Sequence, residues 1–309
     1  MSQEIRPFRD QLPAVSIDQL SRLDKQRILV MGGGWIAPGV ITATVTIVQQ
    51  LLVKWFHPVG LLWSWEWVQK RWDMGFVDFP QINEGDLEWL IAEGGTCLGP
   101  GRGMLLRDEF HFMRELQDRI WFLGTAVVGG DGTVWWAKAL QYSLDQNWRP
   151  VSNAVACIKT IDGDAELSLA IGFQTSAFVY AQAIRAMMRE IPWEDGIWII
   201  GVYGRDNGNL ALRAATLAVD EKAPVITLVP EFQITRQHFL ERVRELKKHN
   251  KKVGIVVSEG FAFDGEKPVV DEDNPDGAGN PKLLWCVPLI KKIISEDAGI
   301  SAIGEYKIR

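Results

Sequence analysis

Cysteine is scarce in this 309-residue chain: Cys97, Cys157 and Cys286 are too few and too scattered for a disulfide framework or a zinc site. That scarcity points to a reducing compartment. No apolar run reaches the roughly 18 residues that a membrane span needs, and no signal peptide opens the chain, so the expected location is cytoplasmic, with no membrane partner. An excess of positive charge is also lacking. The net charge of -6 argues against a nucleic-acid partner, which would leave a basic face. Lys247, Lys248, Lys251 and Lys252 do cluster, but at a helix end, where the helix dipole favours lysines and solvent covers them. What is present is an ordinary globular balance, 47% hydrophobic and 23% charged, in a chain long enough for two lobes.

Glycine is abundant and clustered. "AVVGGDGTVWW" (126–136) places three glycines and one carboxylate within five positions. Such a cluster gives up side-chain burial and suggests backbone that something approaches closely. A strand ending in this turn before a helix exposes amide hydrogens that can cradle phosphate. The carboxylate, Asp131, would repel that phosphate unless a divalent cation lay between them, so the stretch reads as a metal–phosphate site.

The pattern recurs along the chain. "RILVM" (27–31) is a buried strand running into "GGGWIAPG" (32–39), followed by a helix in "VITATVTIVQQLLVKW". "LLWSWEWVQ" alternates as a strand does, with Trp63, Trp65 and Trp67 on one face. "GDLEWLIAEGG" is a short helix, "GTCLGPGRG" (95–103) a second glycine-rich loop and "RDEFHFMRELQDRIW" an amphipathic helix. "AVACIKTIDGD", "GIWIIGVYGRDNG", "PVITLVPE" and "KKVGIVVSEG" continue the alternation of strands with helices, and Thr235 is placed to cap the helix "TRQHFLERVRELKKHN". The expected fold class is therefore α/β, two lobes, each a mostly parallel sheet flanked by helices. Residues 1–26 lack clear periodicity and read as an extension or oligomer arm, 27–153 as the first lobe and 154–309 as the second. The acidic stretch 264–282 reads as loop, its spacing too broken for a calcium site. The fourteen tryptophans are expected in the core or at a subunit interface, because the basic residues that a base-stacking platform interleaves are sparse here.

Each glycine loop alone is weak. Their order, "GGGWIAPG", "GGTCLGPGRG", "AVVGGDGT", "IKTIDGD", "IGFQTSA", "VYGRDNG" and "VVSEG", resembles the phosphofructokinase family from about residue 27 to 260. The resemblance implies transfer of a phosphoryl group to O1 of fructose 6-phosphate, the glycolytic step, from a donor bound with Mg²⁺. It implies that Asp131 holds the metal and that Gly33, Gly34, Gly130, Gly132 and Thr133 line the donor phosphates. Arg102 matches the arginine that stabilises the transferring group. Asp162 matches the base that takes the hydroxyl proton. Thr160, Asp164, Tyr203, Gly204, Arg205 and Glu259 match positions around the acceptor sugar, with Arg205 also matching a catalytic arginine that reaches the acceptor or the moving phosphoryl group. A homo-oligomer, dimer or tetramer, is implied as well.

Several positions depart from the family pattern. Trp35 follows the first glycines where an aspartate is usual, Thr42 stands near an asparagine's place, and Ile158 replaces a proline. Gly196 stands where many members carry a phosphate-binding arginine. Tyr306 and Arg309 have the spacing of a later aromatic and arginine, which makes Arg309 a candidate for the acceptor phosphate in a lobe shortened at its C-terminus. Gly132 leaves room for the α-phosphate of ATP, whereas Lys159 occupies a position common in pyrophosphate users. The expected donor is ATP, with pyrophosphate, or a non-catalytic subunit of the same fold, as alternatives.

Overall fold

In the computed structural model the described residues are 12–23, 26–33, 37–63, 68, 74–99, 107–142, 152–165, 170–190, 196–219, 224–275, 281–284, 286–297 and 303–307. The chain divides into two compact units. The first holds Met1–Thr160 and Ala165–Gly172, the second Ile161–Asp164 and Phe173–Arg309.

The first unit is built on strands β1 (Ala14–Ser16), β2 (Arg27–Gly33), β3 (His57–Leu61), β4 (Met74–Asp78), β5 (Phe122–Gly129), β6 (Ala154–Thr160) and β7 (Ile171–Gly172). They form one sheet in the order β1-β4-β3-β2-β5-β6-β7. The run from β3 through β2, β5 and β6 to β7 is parallel, whereas β4 runs antiparallel to both β3 and β1. β2 reads "RILVMGG" because a central parallel strand is covered on both faces. On one face lies α2 (Val40–Val53), whose buried stripe is Val40, Ile41, Thr44, Val45 and Val48. This β-branched sequence is helical because the stripe recurs at helical spacing and packs on the sheet, which outweighs weak propensity. Met113, Leu116 and Ile120 of α4 (Arg107–Ile120) and Trp136 and Leu140 of α5 (Asp131–Tyr142) join Leu29, Met31 and Phe122 in another core cluster. The short helices α1 (Ile17–Ser21) and α3 (Glu84–Glu93) complete this unit.

Two expectations are corrected here. Residues 1–26 are not wholly an extension. β1 pairs with β4, Ser16 caps α1 through a capping box with Gln19, and Leu12, Val15 and Leu20 are buried. Three- and five-residue elements are too short to show a period, so the sequence hid them. The division also falls at 160/161 rather than 153/154, because β6 hydrogen-bonds to β5 and completes the first sheet. Tryptophan takes several places. Trp136 is buried, but Trp55, Trp121 and Trp135 are exposed. Trp63 lies in a turn with φ 58° rather than in a strand, and Trp65 and Trp67 lie outside the described residues.

The second unit carries β8 (Gly196–Val202), β9 (Val225–Leu228), β10 (Lys252–Ser258) and β13 (Ile303–Lys307), all parallel, in the order β13-β8-β10-β9. α6 (Phe173–Glu190) and α7 (Asn209–Ala218) share one core cluster with Ile200, Val202 and Val256. α8 (Arg236–His249) and α9 (Val287–Asp297) share another with Ile197, Ile199, Ile255 and Val257. Successive residues of β8 and β10 thus face opposite helix layers, the alternation a doubly covered sheet requires. Thr235 caps α8 as expected, its hydroxyl accepting from the His238 amide at 3.2 Å. The loop-like stretch 264–282 holds more structure than its composition suggested, since β11 (Val270–Asp271) pairs antiparallel with β12 (Lys282–Leu283).

Candidate active site

In the first unit the glycine loops gather at the carboxyl ends of parallel strands, where open α/β sheets bind ligands. Gly33 ends β2 directly beside Gly129, the end of β5. Both must be glycine, because the buried Thr133 side chain occupies the space over them: a Cβ would lie 2.3 Å from Thr133 Oγ1 at Gly33 and 2.4 Å from its Cβ at Gly129. Gly32 faces the second loop, its Cβ direction pointing at Thr96 Oγ1 and the Gly99 carbonyl, both 3.8 Å away. Trp63 supports that loop. Its amide donates to the Leu98 carbonyl at 2.7 Å, and its ring closes the space above Gly99. Gly130 sits beside the Lys159 carbonyl at the end of β6 and accepts the Val134 amide, starting α5.

Asp131 is the first residue of α5 and is exposed, as is Gly132. A Cβ at Gly132 would meet nothing within 4 Å, so the space beside the carboxylate is open. No group of three or more metal-ligating side chains occurs among the described residues. Lys159 is buried in β6. Gly34 and Arg102 lie outside the described residues.

The second unit assembles another cluster. Ser258 of β10 pairs with Val202 of β8, so Glu259 and Tyr203 leave the sheet side by side. The Glu259 amide donates to the Val202 carbonyl at 2.9 Å, and the Glu259 carboxylate accepts a hydrogen bond from the Gly204 amide. Burial raises the Glu259 pKa above its ordinary 4.5. The Gly204 bond opposes that rise, the nearby Asp162 charge adds to it and Arg205 opposes it. Asp162, Glu259 and Arg205 are therefore electrostatic neighbours. Thr160 ends β6 in the first unit, opposite Gly172 of β7.

The turn that carries Asp162 and the exposed Asp164 is shaped by Gly163. Its φ is +72°, and a Cβ there would enter the Phe173 ring at 2.6 Å. Asn209, the first residue of α7, fastens this turn by donating from Nδ2 to the Gly163 carbonyl at 3.0 Å. The α7 amino terminus is itself capped from afar, the Gly208 amide donating to the Glu231 carboxylate at 2.8 and 3.0 Å. Gly196 begins β8 in the sheet interior and offers no side chain for a phosphate. Arg309 lies outside the described residues, as do the side-chain surroundings of Tyr306.

Two contributors escaped the sequence reading. Ser258 stood inside a quoted motif, yet only its neighbour was singled out. Its buried hydroxyl donates to the Gly204 carbonyl at 2.7 Å. Tyr180 is the other, a hydroxyl in the apolar stripe of α6, adjacent to Asp162 and Glu259. Burial pushes the Cys97 and Cys286 thiols up to about 12 and raises that of the half-buried Cys157. No helix among the described residues is long and apolar enough to cross a membrane.

These features define an α/β class with parallel sheets in both units and with glycine loops and carboxylates at the strand ends. Within that class, the chain belongs to the Phosphofructokinase family, which it matches over residues 27–305. It is 30% identical over 261 residues to the ATP-dependent 6-phosphofructokinase of Trypanosoma brucei brucei, covering 81% of this chain and 50% of that protein. The ATP-dependent 6-phosphofructokinase of Entamoeba histolytica is 27% identical over 288 residues, 92% of this chain and 63% of that one. The chain thus spans about half to two thirds of the length of these relatives. Among solved structures it resembles the pyrophosphate-dependent phosphofructokinase of Nitrosospira multiformis, with a TM-score of 0.76 at 16% identity, covering 91% of this chain and 68% of that one. It also resembles Pichia pastoris phosphofructokinase in the T-state, with a TM-score of 0.72 at 17% identity, covering 92% and 29%.

Proposed function

We propose that this chain is a phosphotransferase that moves a phosphoryl group from ATP to O1 of fructose 6-phosphate. The observation that carries the reading is the cluster of Asp162, in the turn after β6, with Arg205 and Glu259, which follow β8 and β10, all three being electrostatic neighbours. A sugar acceptor needs a base for one hydroxyl and acceptors for the others, and this cluster offers two carboxylates in different surroundings. Asp162 takes the O1 proton as the oxygen attacks the terminal phosphorus, and the bond to the nucleoside diphosphate breaks. Glu259 accepts from neighbouring sugar hydroxyls. Arg205, joined by Arg102, offsets charge on the phosphoryl oxygens.

In the first unit, Gly33, Gly34, Gly130 and Thr133 would line the donor phosphates. Asp131 would hold Mg²⁺, which when bound would neutralise phosphate charge. Thr160 and Asp164 flank the base, Tyr203 and Gly204 shape the acceptor loop, and Arg309 contributes to the sugar phosphate. We place the chain in the cytoplasm as a homo-oligomer.

Lys159 favours a second reading, with pyrophosphate as donor. It is a buried cation in β6, beside the loop that holds Asp131, and the Nitrosospira neighbour is named for pyrophosphate. The open space at Gly132 favours ATP. The deciding experiment is coupled-assay turnover of fructose 6-phosphate with ATP and with pyrophosphate in parallel. Turnover with pyrophosphate alone reverses the donor assignment. Turnover with neither supports a non-catalytic subunit, which the glycine at position 196 would suit.

A further inference from the structure

A short turn changes company along the chain. Ile161–Asp164 belong to the second unit, whereas Thr160 before them and Ala165–Gly172 after them belong to the first. Groups within the second unit must therefore hold this turn, which carries Asp162 and Asp164. Phe173, at the start of α6, supplies an apolar contact, its ring lying where a Cβ on Gly163 would stand. A ring over a glycine fixes a distance but little direction. Direction comes from Asn209, whose Nδ2 donates to the Gly163 carbonyl at 3.0 Å. Only the amide nitrogen of an asparagine side chain can donate to a carbonyl, so the orientation of this side chain is dictated.

Asn209 is an exposed residue, and a hydrogen bond in such a place positions its acceptor only if the donor is fixed by other means. It is fixed along the chain in both directions. Its backbone amide donates to Asn207 Oδ1 at 3.1 Å. The buried Ser258 hydroxyl donates to the Gly204 carbonyl at 2.7 Å and reaches the Asn207 carbonyl at 3.3 Å. The Gly208 amide is held by both oxygens of Glu231, and α7 beyond it is packed through Leu210, Ala211 and Ala214. A row of hydrogen bonds thus runs from Ser258 at the end of β10, through Asn207 and Asn209, to the Gly163 carbonyl. It joins the strand that leads into Glu259 to the turn that carries Asp162.

We propose that Asn209 is a positioning residue, its side-chain amide holding the Gly163 carbonyl and with it the turn that carries Asp162. The role rests on the reading of Asp162 as base for its consequence, but not for its geometry. A base must stand within hydrogen-bond reach of the hydroxyl it deprotonates, and misplacement by about 1 Å can cost about 10²-fold in rate. The needs of α7 do not explain the asparagine. Alanine forms helix better, and aspartate in the first turn suits the helix dipole. Neither side chain could donate to Gly163.

The test compares Asn209→Ala, which removes the donor group, with Asn209→Asp, which sets a carboxylate oxygen against the carbonyl. In the full chain, backbone order parameters of Gly163 and Asp164 should fall from the rigid range of about 0.85 to below about 0.6 in both variants, while those of α7 keep their wild-type values. Turnover of fructose 6-phosphate should show kcat lower by about tenfold for Asn209→Ala and by more for Asn209→Asp, with KM for the phosphoryl donor within about twofold. Melting temperatures should match or exceed that of the wild type, since both replacements suit a helix start. Unchanged order at Gly163 and Asp164, or a loss spread over α7, overturns the proposal. So does wild-type kcat in both variants of an active enzyme. If the wild type transfers no phosphoryl group, the functional reading fails, and the order parameters still decide the role of Asn209.

Discussion

Arg205 Nη1 donates to the carbonyl oxygen of Pro281 across 2.9 Å, tying the acceptor loop to the arm that carries β11 and β12. A guanidinium fork can hold that carbonyl with one nitrogen and present the others to a phosphoryl oxygen, whereas an ammonium is a single point charge. Arg205→Lys should therefore lower kcat/KM for the sugar phosphate by about 10²-fold, read by steady-state kinetics. An unaltered value would confine Arg205 to anchoring the arm.

Asp162→Asn should lower kcat by about 10²–10⁴-fold with little change in nucleotide affinity, because an amide cannot take the hydroxyl proton. Asn at this half-buried turn position leaves the Gly163–Phe173 contact intact, so the fold should persist. Retention of most of the activity would remove Asp162 from the role of base.

Gly132→Asp is expected to abolish ATP use while pyrophosphate use suffers less. Nothing lies within 4 Å of the new Cβ, so the effect is not a folding defect. The added carboxylate fills the space proposed for the α-phosphate and repels it at short range. Titrating both donors against wild type and variant at saturating Mg²⁺ measures this, and equal losses for the two donors would contradict it.

Glu259 gives stability an uncommon pH dependence. Its pKa is raised by burial above its ordinary 4.5, so between that value and the raised one the folded chain binds more protons than the unfolded chain. Its contribution to stability therefore falls as pH rises through that window, opposite to a salt-bridged carboxylate. Glu259→Gln should remove this slope. In denaturant melts from about pH 4 to 7, wild type should lose ground relative to the variant as pH rises. Wild type gaining ground would refute the assignment.

In the first unit, His57 Nε2 and Asp78 Oδ1 are 2.7 Å apart, both side chains are buried, and Gln81 donates to the other carboxylate oxygen at 2.6 Å. This pair joins the adjacent strands β3 and β4. Asp78→Ala should cost about 3 kcal/mol by stranding a buried imidazole, whereas Asp78→Asn, which keeps an acceptor, should cost less. Thermal melts of the two variants compare them. Equal costs would show that packing rather than the polar pair matters there.

The sequence by itself determined whatever depends on near neighbours. Strand, glycine loop and helix follow one another within a few residues in "RILVMGGGWIAPG" and "AVVGGDGT", so apolar runs and glycines mark the strand ends without any knowledge of the fold. Thr235 announced a helix start for the same reason. The tertiary structure decided what rests on pairing across long separations. β1 has three residues and exists only because β4, about sixty positions later, supplies its hydrogen bonds. β6 was drawn into the first unit by β5. Trp63 reads as a strand residue until Leu98 and Gly99 place it in a turn beneath the second loop. Ser258 looks like an ordinary strand-end residue until the fold brings the Gly204 carbonyl to its hydroxyl. A hydrogen bond between residues over fifty positions apart leaves no periodic trace in sequence, because both partners' neighbours are chosen for their own packing.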